Sequence, residues 1–154
     1  MRLSVTRHER CGVRQVPWLG RRAIGRIERA ARSAGPAGSA AELILVDDAF
    51  IKDLNRRYRG IESPTDVLSF AYSDDGGGRE TVAGEIYVSH ETVARDARRA
   101  AVPPENLFLR VCVHGVLHVL GYDHEKASEA RRMEAEEKRV LLEQLTETEV
   151  EELF

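Results

Sequence analysis

The sequence is poor in cysteine: Cys11 and Cys112 are the two in 154 residues, and they stand far apart along the chain. Two such thiols make no disulfide framework, which excludes the small stapled scaffolds of secreted proteins. Cys112 falls in an apolar stretch shortly before His114 and reads as an inert core residue. Long apolar runs are absent too, and none approaches the roughly 20 residues that span a bilayer. The N-terminal MRLSVTRHERCGVRQ lacks the apolar core of a secretory signal, so the expected location is cytoplasmic, with no membrane partner. No internal repeat is visible. What remains, 42% hydrophobic and 32% charged residues, is ordinary globular composition, and the length predicts one domain over residues 1–154.

Net charge is small, but the charges are unevenly placed. Residues 1–60 carry 13 Lys or Arg against 6 Asp or Glu, whereas residues 61–154 carry 10 against 20, for a net −3. An arginine-rich half suits a polyanion such as RNA, and the acidic half confines that contact to one face.

Leu3 and Val5 alternate with polar neighbours and mark a short first strand. Val16, Leu19, Ala23, Ile24, Ile27 and Ala30 recur at helical spacing, predicting an amphipathic helix over 17–34 whose other face holds Arg21, Arg22, Arg26, Arg29 and Arg32. Glu42 to Val46 reads as a buried strand, and Asp47 or Asp48 as the cap of a helix reaching about Arg57. Asp66 to Phe70 and Gly84 to Ser89 read as a hairpin around a loose, mobile DDGGGR loop at 74–79. Ser89 caps a helix from His90 to about Ala101. Pro103 and Pro104 open a helix apolar nearly all round from Leu107 to Leu120, expected at the centre of the core. A last helix from about Ser128 to Leu145 carries Met133, Val140, Leu141 and Leu145 inward, and the tail ETEVEELF is expected to fray. The order gives an α+β fold: a small mixed sheet of about four strands packed against about five helices, with a buried central metal-bearing helix.

Three of the five histidines fall between His114 and His124. His114 and His118 are four apart, so on a helix they share one face with Cβ atoms about 5–6 Å apart. Gly121 takes the left-handed conformation that ends a helix and turns the chain, which lets His124 return as a third ligand. Three imidazoles without a fourth protein ligand describe an open tetrahedral site suited to catalysis, with one zinc per chain as the default ion. The spacing HxxxHxxGxxH is also that of metzincin peptidases, but the glutamate they carry after the first histidine is Gly115 here. Asp123 and Glu125 are the expected acceptors that orient an imidazole, with Asp66 and Ser69 as further candidates. His90 is expected at the surface or as a cap, and His8 without a partner; neither is assigned to the metal.

Three stretches read together carry a resemblance: LNRRYRGIESPTDVLSF at 54–70, AGEIYVSHE at 83–91 and HGVLHVLGYDHE at 114–125. Their combination resembles the YbeY family of bacterial endoribonucleases, along essentially the whole chain. The resemblance implies a metal-dependent hydrolase of single-stranded RNA acting in 16S rRNA 3′-end maturation and ribosome quality control. It implies the ribosome or ribosomal proteins as partners and zinc on His114, His118 and His124. Arg59 in YRG matches the family's functional arginine, so the catalytic pair it implies is Arg59 and His114. Arg59 then offers a guanidinium to the phosphate, whereas Arg56 and Arg57 serve the RNA backbone or solvent. This chain departs from the family pattern at Glu85, a longer carboxylate than usual there, and at Ala71 in place of a proline. Two other readings stand beside this one: a metallopeptidase with a metzincin-like site, which Gly115 opposes, and a non-catalytic zinc-stabilised ribosome-binding module, which the open coordination position opposes.

Overall fold

A computed structural model describes residues 1–72 and 83–154. Its strands are β1 (Arg2–Arg7), β2 (Ala40–Val46), β3 (Val67–Tyr72) and β4 (Ala83–Ser89). Its helices are α1 (Arg21–Ala34), α2 (Asp48–Arg59), α3 (His90–Ala100), α4 (Pro104–Val119), α5 (Ala127–Leu141) and α6 (Glu147–Glu151). The strands form one mixed sheet in the order β1-β2-β4-β3, with β1, β2 and β4 parallel and β3 antiparallel to β4. The α+β architecture is the expected one. The loop expected at 74–79 lies outside the described residues.

Side chains at matched registers share a sheet face, so Leu43, Ile86 and Ser69 point the same way, as do Leu45, Val88 and Val67. That face packs on α4, which is buried on almost every side. From Leu107 onward, the residues of α4 that keep some exposure are Leu107, Arg110, His114 and His118, spaced three, four and four apart. They form a single stripe along the helix. Contact with the sheet is close because glycines permit it. A Cβ on Gly115 would sit 2.6 Å from Cγ2 of Ile86, and one on Gly84 would sit 2.7 Å from Cγ1 of Val119.

The caps act as their sequence suggests. The Asp47 carboxylate accepts from the Phe50 N–H, and the Ser89 hydroxyl from the Thr92 N–H. Gly60, at φ 68°, closes α2. Two expectations need correction. Helix α1 begins at Arg21 rather than at residue 17, because the turn before it buries Leu19 and sets Trp18 edge-on to Phe108. The described residues hold six α-helices, in keeping with the expected number of about five. The last is the tail expected to fray: Thr146 and Glu149 form a reciprocal capping box, and Val150 and Leu153 are buried in the core.

Candidate metal centre

The turn after α4 determines where the third histidine goes. Gly121 takes φ 93°, its N–H bonds to the carbonyl of His118, and the N–H of Tyr122 bonds to that of Leu117. This paired closure satisfies the last carbonyls of the helix and folds the chain back over its end. The three rings therefore meet: centroids lie 4.6 Å apart for His114 and His118, 5.0 Å for His118 and His124, and 5.7 Å for His114 and His124. One nitrogen from each lies within 4.8 Å of the others.

Hydrogen bonds settle which nitrogens face inward. Nδ1 of His114 meets the Glu137 carboxylate at 2.5 Å, and Nδ1 of His118 meets the Tyr122 carbonyl at 3.0 Å. Both partners are acceptors here, so in the neutral rings both Nδ1 atoms carry the proton and both Nε2 atoms carry lone pairs. Those Nε2 atoms stand 3.0 Å apart. Two lone pairs at that distance repel unless a cation or proton lies between them, so the donor set fits a metal ion. Burial first, and the neighbouring charges of His114 and His124 second, pull His118 below the ordinary histidine range, which favours the neutral form a ligand needs. Beside His114 lies a cavity of about 200 Å³ bounded by Asp66, Val67, Leu107, Arg110, Val111 and His114.

The expected acceptors are elsewhere. Asp123 takes the backbone N–H of His124 instead of an imidazole, and no imidazole contact joins Glu125. Ser69 donates to the Gly115 carbonyl and braces the backbone of α4, while the Asp66 carboxylate accepts from the Val67 N–H. Glu137 went unrecognised, although it had a signal: it is a carboxylate inside the apolar stripe of Met133, Val140 and Leu141. His90 is half-buried with Nε2 2.8 Å from the Cys11 carbonyl, and His8 packs its ring against Phe50. Neither joins the triad. Cys112 is fully buried, which pushes its thiol well above the ordinary range and fits an inert core residue.

Arg59 is the last residue of α2, is exposed, and makes no hydrogen bond or ion pair among the described residues. No contact joins it to the triad. Its neighbours differ: Arg56 and Arg57 both pair with Asp53, at 2.7 and 2.9 Å. Tyr58, 65% exposed, sets its ring edge-on to Phe70 of β3 at 5.1 Å, which fixes the end of α2 against the sheet. The basic face of α1 is also less free than its pattern suggests. Arg26 bonds to Asn106 and to the Gln144 carbonyl, and Arg29 to the Gln144 side chain, leaving Arg21, Arg22 and Arg32 as the outward cations there.

The family model described as Endoribonuclease YbeY matches residues 23–145. The Endoribonuclease YbeY of Moorella thermoacetica is 43% identical over 126 residues, covering 75% of this chain and 80% of that protein. That of Pelotomaculum thermopropionicum is 40% identical over 126 residues, covering 76% and 83%. A Thermotoga maritima protein of known solution structure superposes with a TM-score of 0.58 at 28% identity, covering 92% of this chain and 87% of that one.

Proposed function

The chain belongs to the YbeY family of endoribonucleases, and we propose that it cleaves internal phosphodiester bonds of single-stranded RNA at the histidine triad, as one catalytic unit. The observation that carries this reading is the pair of Nε2 atoms held 3.0 Å apart, with both Nδ1 protons committed elsewhere. His114, His118 and His124 are the ligands, and zinc is the ion: three imidazoles with no thiolate or carboxylate among them suit it best. Bound there, the ion would supply Lewis acidity for a phosphoryl oxygen and for the attacking water.

The chain's own residues supply the rest. Arg59, at the end of α2 and without an ion pair among the described residues, forks onto the nonbridging oxygens of the scissile phosphate, where negative charge grows during hydrolysis. The exposed ring of Tyr58 next to it offers a stacking face to an unpaired base, consistent with a single-stranded substrate. The cavity beside His114 leaves room for part of a nucleotide. The biological setting is maturation of the 16S rRNA 3′ end and ribosome quality control in the cytoplasm, in contact with the ribosome. No helix among the described residues is long and apolar enough to cross a membrane.

The peptidase reading loses its remaining support at Gly115, which faces Ile86, Ser69 and Val67 beneath the sheet, so a catalytic carboxylate has no space there. A structural zinc module calls for four protein ligands, and the cluster found among the described residues has three. Incubating metal-loaded protein with single-stranded RNA and with casein, each with and without chelator, tests the proposal. Chelator-sensitive cleavage of RNA alone is expected; cleavage of casein alone would reverse it.

A further inference from the structure

Glu137 is 3% exposed, and its two oxygens engage two residues of α4 one turn apart. Oε1 meets Nδ1 of His114, and Oε2 lies 3.6 Å from Nε of Arg110. A buried carboxylate is costly unless its partners compensate it, and the rest of this stripe of α5 is apolar, so packing alone gives no reason for an acid here. Arg110 is itself anchored. It donates to the Leu153 carbonyl, and its guanidinium lies 3.8 Å from the centre of the Phe154 ring, with Nζ of Lys138 4.8 Å from the same ring. Leu153 is buried, so α6 brings these groups to a fixed place.

We propose that Glu137 is the positioning residue of the triad. It holds His114 in the Nδ1–H tautomer with Nε2 toward His118, while Arg110, clamped by Leu153 and Phe154, holds Glu137. A carboxylate on Nδ1–H also raises the basicity of the opposite nitrogen, which tightens a metal bond there. The consequence for metal affinity rests on the metal reading of the triad; the tautomer does not.

The test uses the full chain and its variants Glu137→Gln, Glu137→Ala and Phe154→Ala. Imidazole nitrogen spectra of the metal-free protein at neutral pH report the tautomers, and competition with a chromophoric chelator reports zinc affinity. The parent should show His114 as a single Nδ1–H tautomer. In Glu137→Ala it should become a mixture, and zinc affinity should fall about 10- to 100-fold. Glu137→Gln keeps an acceptor without the charge, so the tautomer should persist with a smaller loss of affinity. Phe154→Ala should loosen zinc while the signals of His90, which bonds to Cys11 instead, stay in place as the control for intact folding. An unchanged His114 tautomer in Glu137→Ala, with zinc affinity within about twofold of the parent, would overturn the assignment. If Glu137→Ala fails to fold, unaltered zinc affinity in Glu137→Gln overturns it equally. A parent that holds His114 in one tautomer but binds no zinc would defeat the metal reading while leaving Glu137's grip on the ring to be read from the spectra.

Discussion

Gly115 lies directly under Ile86, so close that a Cβ on residue 115 would stand 2.6 Å from Cγ2 of a side chain with no exposed surface. The same Cβ would stand 3.1 Å from Oγ of Ser69 and from Cγ2 of Val67. The glycine between two ligand-bearing turns is thus a packing requirement. It lets α4 approach the sheet closely and sets the depth at which His114 and His118 emerge.

Gly115→Ala should therefore lose about 1–3 kcal/mol of stability through overpacking, even though alanine favours a helix by up to about 1 kcal/mol. Urea melts of the metal-free protein measure this; a stabilised variant would contradict the packing account. Gly115→Glu should fail to fold rather than gain peptidase activity.

Removing a ligand should separate the site from the scaffold. His118→Ala should lose stoichiometric zinc and RNA cleavage together, since two imidazoles hold the ion poorly, and zinc should no longer raise the melting temperature. Elemental analysis of the purified variant decides: one zinc retained per chain would exclude the triad.

Arg59→Ala should leave zinc content and melting temperature unchanged, because Arg59 is exposed and makes no hydrogen bond or ion pair among the described residues. Turnover of bound RNA should fall by about 10²- to 10³-fold, the cost of one preorganised donor. Arg59→Lys should restore only part of it, since an ammonium lacks the planar fork. Single-turnover cleavage under saturating enzyme is the measurement, and a rate equal to the parent's would make Arg59 a binding residue. As a control, Arg22→Ala on the exposed face of α1 should leave the single-turnover rate unchanged; Arg26 would not serve, because it is tied to Asn106 and Gln144.

The helix that carries Arg59 is fixed at its other end by Asp48. Burial alone would raise its carboxyl, but hydrogen bonds from Thr92, Ser89 and Arg95, with the Arg95 charge, outweigh this and hold it below its ordinary 3.8. The native state thus binds this proton less readily than the unfolded chain. Its stabilisation is complete above pH 3.8 and is lost as pH falls through the lower native value. Asp48→Asn should cost about 1–3 kcal/mol at neutral pH. The gap from the parent should narrow in urea melts below pH 3.8, and a gap that stays constant would contradict this origin.

Much of this protein is written in short-range pattern. Capping by Asp47 and Ser89, the reversal at Gly121 and the shared face of His114 and His118 each involve residues within about one helical turn, so spacing alone is enough to read them. The apolarity of α4 likewise announced its place in the core. What joins distant segments could not be read that way. Glu137 finds His114 across 23 positions of sequence because α5 packs on α4, while Asp123, beside His124, takes a backbone N–H instead of an imidazole. Arg26 leaves the basic face of α1 for Asn106 and Gln144, and the polar tail docks as α6, because Val150 and Leu153 gain a core to enter only once α4 and α5 have formed it. Periodicity tells which residues share a face; only the assembled core decides what that face meets.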